Sequence, residues 1–416
     1  MGFEQALSGL QAASQDLDNI GNNIANASTI GYKDVTMQFS DVYASTLWGA
    51  SATQIGIGVQ VAAVTPNFTQ GNITTTGNPL DVAINGQGFF QELNNGITSY
   101  SRDGEFQLNA NGVIVTASGA QLLGYPATAT GQITAAPPVP LTLSQAPVPP
   151  AATTTASLSL NLDAGSTPVA AGTVFNPADP TTYTSSTSMT VYDSQGNAHT
   201  LSYYFVNTGI DAAGNDDWNV YATGDGTTLG QLGTLTFGPT GALVTAPPGQ
   251  NVQLALPGAW NLTDGANPLN ITTTFPFAAT SQYGAAFSVS SNSQNGYATG
   301  ELAGFSIGSN GVITGQYTNG QTLAQGQIAL ANFVNPQGLI AVGNNQFVQT
   351  EASGAPVVGA PGSGSLGTVQ SGALEASTVD ITTELVNLIT AQRVYQANAE
   401  TVKTEDQVEQ TLMNLR

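Results

Sequence analysis

Apolar and polar positions follow three rhythms along this chain. Residues 3 to 27 carry Phe3, Leu7, Leu10, Leu17 and Ile24 at heptad spacing, interrupted by Ser14 and Gly21, which predicts an amphipathic helix. Asn19, Asn22, Asn23 and Asn26 crowd its end, so the helix is expected to stop near Ala27. Near the other terminus, Ile381, Leu385, Leu388, Tyr395, Ala399 and Val402 form a longer stripe, with Ile389, Val408, Leu412 and Leu415 beside it. Asp380 or Thr378 is placed to cap a helix running to about Asn414. At 1.5 Å per residue that helix spans about 50 Å. Ala13, Val386 and Ile389 add apolar groups off the main seams, and a helix with apolar surface on more than one side needs neighbours. The expectation is that the two terminal helices pair and then self-associate. The alternative is that each packs on its own globular domain.

Between the helices the rhythm is short and alternating. Residues 28 to 71 hold Tyr32, Phe39, Val42, Tyr43, Leu47 and Trp48, then Ile55, Ile57, Val59 and Val61, an extended connection with some strand. Short runs then follow at Asp81 to Ile84, Gly88 to Leu93, Glu105 to Leu108 and Val113 to Thr116, punctuated by Gly and Asn. Pro137, Pro138, Pro140, Pro147, Pro149 and Pro150 mark a stiff connector and a domain boundary. Further boundaries are expected near Thr280 to Gln294 and in the Gly- and Ser-rich run from Gly354 to Gly367.

An internal similarity ties the two flanks together. Phe106 to Ile114 lines up with Phe305 to Ile313, each with an Asn-Gly turn (Asn111-Gly112 and Asn310-Gly311), and Phe237 to Leu243 is a looser echo. Each reads as a hairpin whose turn tolerates positive φ. The predicted fold class is therefore mainly β with terminal α-helices: paired N- and C-terminal coiled-coil helices, a β-domain built from both flanks, and a second β-domain inserted in it. The expected segments are 1–28 and 380–416 for the helices, 29–70 and 360–379 for extended linkers, 71–146 and 285–359 for the middle β-domain, and 147–284 for the outer one.

Charge changes the picture by exclusion. The 416 residues include 26 Asp or Glu and 5 Lys or Arg, a net charge of −21. The basic residues are Lys33, Arg102, Arg393, Lys403 and Arg416, so none lies between Arg102 and Arg393. Nucleic-acid binding needs clustered Lys or Arg and is excluded; attraction to anionic lipid fails likewise. No lysine is placed for a P-loop. There is no run of about 18 apolar residues for a membrane span, and the N-terminus lacks the basic and apolar regions of a cleavable signal peptide. Hydrophobic residues at 41 %, with 13 Tyr and 15 Phe, suffice for cores.

Candidate chemistry is sparse. With no cysteine and the single His199, thiol catalysis, disulfides and Cys or multi-His zinc sites are removed. Asp211 to Asp217 is the densest acidic cluster in the middle of the chain but lacks EF-hand spacing, and reads as a solvated turn. Asp193, Ser194 and His199 offer the residue types of a catalytic triad. They fall within one expected hairpin between Met189–Tyr192 and Leu201–Val206, with no oxyanion hole. Gly56-Ile-Gly58 and Gly86-Gln-Gly88 lack the rest of a dinucleotide motif. A paired-carboxylate glycosidase stays open on sequence grounds. The expectation is no enzyme, no metal and no cofactor.

Four motifs carry a resemblance. Asn19-Ile-Gly-Asn-Asn-Ile-Ala-Asn26-Ala-Ser-Thr-Ile-Gly31-Tyr32-Lys33, the run from Thr76 through Pro79-Leu80-Asp81 to Gly86-Gln-Gly88-Phe89-Phe90, the run from Tyr100-Ser-Arg102-Asp-Gly104-Glu-Phe106 to Leu123-Gly124-Tyr125, and Ser371-Gly-Ala-Leu374-Glu375-Ala-Ser377 through Asn414 together resemble the bacterial flagellar rod and hook axial proteins. The insert, with its Val191-to-Leu201 hairpin, resembles that of hook members. The resemblance implies a structural subunit that leaves the cell unfolded through the flagellar type III export channel without a cleavable signal. It implies polymerisation into a curved, flexible tube outside the cell, with paired terminal helices inside and β-domains outside, acting as a universal joint that passes torque from motor and rod to filament. Partners implied are further copies of itself, other axial proteins (distal rod, hook cap, hook–filament junction) and the export apparatus. Leu7, Leu10, Leu17 and Ile24 with Leu385, Leu388, Tyr395 and Val402 are the candidate assembly residues. A distal rod protein, an extracellular adhesin or carbohydrate-binding β-protein, and a hydrolase are the alternatives.

Overall fold

The computed structural model describes residues 2–43, 56–245 and 247–414. Leu47, Trp48, Ile55, Leu415, Arg416 and the side chain of Leu412 lie outside this description. Helix α1 is Gly2–Ala25 and helix α2 is Ile381–Asn414. The Asn-rich end stops α1 because its side chains compete for backbone groups: Asn26 Nδ2 donates to the Asn22 carbonyl at 2.9 Å. Asp380 starts α2, its Oδ1 accepting the amides of Thr382 and Thr383 at 2.8 and 3.2 Å. Those bonds hold the Asp380 carboxyl below the ordinary Asp range.

Two compact units are present. The first comprises residues 1–145, 304–316 and 322–416; the second comprises 146–303 and 317–321. In the first, strands from before and after the insert share one sheet: Thr322–Ile328 pairs antiparallel with Gln121–Pro126, which also pairs with Phe89–Asn94. Its aromatic core sets Phe89, Tyr100, Phe333 and Phe347 edge to face, with Phe68 packed against them.

The second unit has two five-stranded sheets, one around Thr155–Asp163 and one of Ser185–Tyr192, Ala198–Ile210, Asp216–Gly224, Thr227–Phe237 and Leu243–Val244. Alternate residues Leu158, Leu160, Leu162, Leu201, Tyr203, Phe205, Trp218 and Val220 point into one buried core, as period-two strands with one wet face require. The Phe106, Phe237 and Phe305 hairpins share one turn: an amide donates to the carbonyl four residues on, and a glycine (Gly112, Gly241, Gly311) sits at φ near +75° (74°, 77° and 77°).

The expected break after residue 146 stands within one residue, at 145/146; the expected linkers, the end of the outer segment and the character of the Pro-rich stretch change. The linkers expected at 29–70 and 360–379 contain paired strands: Val35–Val42 forms a hairpin with Gly58–Pro66, Thr368–Ser371 pairs with Val82–Asn85, and Ala373–Glu375 pairs with Ile73–Thr75. The outer segment expected at 147–284 extends to residue 303, because Ser288–Gln294 pairs antiparallel with Thr155–Asp163, and Tyr297 and Gly300 bridge to Ala151 and Val148. The Pro-rich stretch is not a free connector. Leu141 and Leu143 between its prolines are buried, and Val139–Pro140 pairs with Gln121–Pro126.

Candidate assembly interface

Helix α1 presents three longitudinal faces. Ala6, Gly9, Ala13, Asp16, Ile20 and Asn23 recur at alternating three- and four-residue steps, and Ala6, Ala13, Ile20 and Asn23 are buried. A second face meets the hairpin of Val35–Val42 and Gly58–Pro66: Asn19 Nδ2 and Asn23 Nδ2 donate to the Val35 carbonyl at 2.8 and 2.9 Å, and Ser8 Oγ accepts the Val59 amide at 3.3 Å. The third is the leucine stripe.

The small residues set the approach of α2. Asn23 Nδ2 donates to Glu384 Oε1 at 3.1 Å, and a Cβ built on Gly9 would lie 2.9 Å from Asn398 Nδ2. From Gly9 to Asn23 is fourteen residues forward; from Asn398 to Glu384 is fourteen back. The helices are therefore antiparallel, and α2 runs on past the first residue of α1. A groove of about 740 Å³, lined by Gly9, Asp16, Asn23, Val35, Glu384 and Asn398 among others, lies along the pair and the hairpin. The Asp16 carboxyl is raised there, first by burial and then by the charge on Glu384.

The candidate assembly residues divide. Leu388 and Val402 are half-buried on the α2 stripe that also carries Glu384, Ala391 and Asn398. Tyr395 shares that stripe but is 39 % exposed, and Leu385 lies off it at 47 %. On α1, Leu10, Leu17 and Ile24 are half-buried and Leu7 is 40 % exposed, with Phe3 beside it. Ile381, Val386, Ile389, Val394, Val408 and Met413 add further exposed apolar groups on α2. Within the chain, Gly9 with Asn398 and Asn23 with Glu384 thus bring small and polar residues into the helix contact. The heptad pattern drew attention to leucines; the three-four recurrence of Ala6, Gly9 and Ala13 one position earlier was the signal for the internal seam.

Below the helices lies a charge node that composition alone did not reveal. Lys33 Nζ stands 2.6 Å from Glu375 Oε1, and Arg102 Nη1 stands 3.1 Å from Glu375 Oε2, all three side chains being buried. Arg102 Nη2 donates to the Gly86 carbonyl at 2.9 Å, Lys33 Nζ to the Thr69 carbonyl at 2.6 Å, and the Gly71 amide to Glu375 Oε1 at 2.7 Å. Burial lowers the pKa of Lys33 and of Arg102 from their ordinary values, while Glu375 acts against that fall. Gly31, at φ 68°, passes so close to Arg102 that a Cβ would lie 2.8 Å from its carbonyl oxygen. Each of the four motifs contributes a residue here: Gly31 and Lys33, Gly86, Arg102, and Glu375.

The other candidates have local explanations. Asp211 accepts the amides of Ala213 and Asn215 and the Asn215 side chain, which makes it the brace of a turn. Ser194 Oγ accepts the Asn267 amide at 3.1 Å, while both ring nitrogens of His199 face carboxylates. Ser194, His199 and Asp193 do not form a nucleophile–base relay.

Known proteins match along the whole chain. A family model described as Flagella basal body rod protein matches residues 3–33, and the Flagellar hook protein FlgE/F/G D1 domain matches 83–161. The Flagellar basal body protein FlaE D2 domain matches 161–297, and the Flagellar basal body rod FlgEFG protein C-terminal model matches 370–415. The flagellar hook protein FlgE of Escherichia coli K12 is 42 % identical over 422 residues, covering all of both chains. The chain belongs to the flagellar hook protein family. FlgE of Salmonella typhimurium LT2 is also 42 % identical over 423 residues, and FlgE of Rhizobium meliloti is 34 % identical, covering 99 % of this chain and 97 % of that one. The crystal structure of Helicobacter pylori flagellar hook protein FlgE2 aligns with a TM-score of 0.53 at 15 % identity, covering 73 % of this chain and all of that one, a likeness of fold. Members of the flagellar hook protein family are structural subunits, not enzymes.

Proposed function

We propose that this subunit polymerises through its α1–α2 pair into the tube of the flagellar hook, where it works as part of a universal joint. The observation that carries this reading is the apolar surface left on the pair after the internal seam has formed: Phe3, Leu7, Ile381, Leu385, Val386 and Ile389 remain exposed. Apolar stripes on two helices of one chain suit neighbouring copies of the same chain, since repetition of the subunit supplies the complementary face. Leu7, Leu10, Leu17, Ile24, Leu385 and Tyr395 are the assembly residues we assign to contacts between copies, and Leu388 and Val402 to the seam within one. The charge node then fixes the helices to the β-domain of the same subunit, so that torque on one moves the other. Outer surfaces rich in Thr, Asn, Gln and Gly exchange partners at small cost, which suits a bending tube.

Electron microscopy of the purified chain under polymerising conditions tests this. Curved tubes are expected, lost on removal of residues 1–27 or 380–416 and in L10D/L17D. Straight rigid polymers, or tubes that survive those changes, would overturn it.

A further inference from the structure

In the second unit, the one histidine of the chain is surrounded by three carboxylates from different loops. His199 Nδ1 lies 2.7 Å from Asp225 Oδ2. Its Nε2 lies 3.4 Å from Asp193 Oδ2 and 3.4 Å from Asp264 Oδ2. The first distance is that of a charge-assisted hydrogen bond, whereas the other two exceed the usual N–H···O range of about 2.7–3.2 Å. Two equal long distances fit another object. Zinc binds imidazole nitrogen at about 2.0–2.1 Å and carboxylate oxygen at about 2.0–2.2 Å, which makes the edge of a tetrahedral ligand set about 3.4 Å.

We propose that Asp193 Oδ2, His199 Nε2 and Asp264 Oδ2 form a three-ligand site for a zinc-class divalent cation, with Asp225 orienting the imidazole. These three atoms lie within 4.8 Å of one another. Each ligand is held before any ion arrives. Asp193 is buried, and its Oδ1 accepts the amides of Gln195 and Asn197 at 2.8 Å each, leaving Oδ2 turned to the site. Asp264 Oδ1 accepts the Ala266 amide at 3.1 Å. Asn197 Nδ2 bridges the two carboxylates from the side, at 2.9 Å from Asp193 Oδ2 and 3.3 Å from Asp264 Oδ2. The ring of His199 is further set edge-on against Trp260, 5.6 Å between centroids. In the tautomer that donates Nδ1–H to Asp225, the lone pair is on Nε2, which is the carboxylate–histidine–metal arrangement that raises ligand basicity.

The ligand set also selects the ion. Two carboxylates neutralise a divalent charge, and one imidazole favours zinc over magnesium or calcium. Calcium takes six to eight oxygens, more than remain once both Oδ1 atoms serve backbone amides. Asp264 is partly exposed and leaves an entry side. The proposal departs from the sequence-based expectation of no metal, since removing Cys and multi-His sets still leaves a mixed His/Asp one. An ion here would staple the turn after Ser185–Tyr192 to the loop that carries Asp264, and so stabilise the outer unit.

The test uses the full-length chain stripped with chelator, titrated with Zn²⁺ and with Ca²⁺ by calorimetry, and with Co²⁺ by visible absorption. Expected are one saturable Zn²⁺ per chain, an intense tetrahedral Co²⁺ spectrum and a higher melting temperature with Zn²⁺. D264N keeps the far-UV spectrum of the chelated chain but abolishes the Co²⁺ band, and D225N weakens Zn²⁺ about 10- to 100-fold. Absence of saturable Zn²⁺ binding, binding unchanged in D264N and H199Q, or preference for Ca²⁺ would each overturn the proposal.

Discussion

The Lys33 ammonium lies 2.6 Å from Glu375 Oε1 with neither side chain open to solvent, although the two residues stand near opposite ends of the chain. Arg102 holds the other oxygen. A buried ion pair is expensive to form but more expensive to break from one side, since the partner charge is left without compensation. The Glu375→Ala variant strands two buried cations and is expected to lose about 3–5 kcal/mol in denaturant unfolding. Lys33→Met, which leaves Glu375 still paired with Arg102, is expected to cost clearly less. Equal losses in the two variants would show that the node is not one coupled unit.

Much of this architecture was legible in the chain and some was not, for physical reasons that differ. Leu385 and Leu388 announced α2 because helical periodicity is a local signal, and the Gly112, Gly241 and Gly311 hairpins followed from turn chemistry that acts within five residues. The pairing of Thr322–Ile328 with Gln121–Pro126 was anticipated only through the repeated hairpin. The internal helix seam was missed because Ala6, Gly9 and Ala13 advertise no hydrophobicity; their signal is the lack of a side chain. The node was missed because Lys33, Arg102 and Glu375 are isolated in sequence and meet only through long-range pairing such as Ala373–Glu375 with Ile73–Thr75.

Gly9 tests that seam. With Asn398 opposite, Gly9→Ala needs only a small rotation of a flexible amide, so it is expected to leave assembly intact. Gly9→Leu inserts three more carbons where the helices touch, and overpacking of this kind costs about 1–3 kcal/mol. Polymerisation followed by light scattering should fail or slow in Gly9→Leu alone. Normal assembly of Gly9→Leu would mean that α1 and α2 separate during polymerisation.

Glu92 gives the first unit a pH dependence. It is 1 % exposed, its Oε1 has no hydrogen-bond partner among the described residues, and burial, with a smaller contribution from the charge on Asp103, pushes its pKa from 4.5 up to about 7 against the hydrogen bond from Gln346. A carboxyl with a raised folded pKa binds more protons when folded than when unfolded. Its contribution to stability is therefore fully present below about pH 4.5 and is lost as pH rises through about 7, a span worth about 3 kcal/mol. Glu92→Gln should flatten the fall in stability between about pH 4.5 and about pH 7, the window those two values define, when the two proteins are compared by urea unfolding. Parallel pH profiles would refute the assignment.

The terminal helices should form fully only in company. α1 has 24 residues and α2 has 34, and along both the apolar side chains are largely half-exposed or exposed. Helices draw most of their stability in proteins from burying such a face, not from intrinsic propensity. A dilute, unassembled chain leaves Leu7, Leu385, Val386 and Ile389 in water, and the internal seam of alanine, glycine and asparagine buries little apolar area to replace them. Far-UV circular dichroism of the isolated chain should therefore show less helix than the polymer, with the difference removed by deleting residues 380–416. Leu10→Asp together with Leu17→Asp should hold the chain in the low-helix state at every concentration, because the missing stabilisation comes from neighbouring copies. Equal helicity before and after assembly would place the stabilising contacts within the single chain and remove the reason for reading the leucine stripe as an interface.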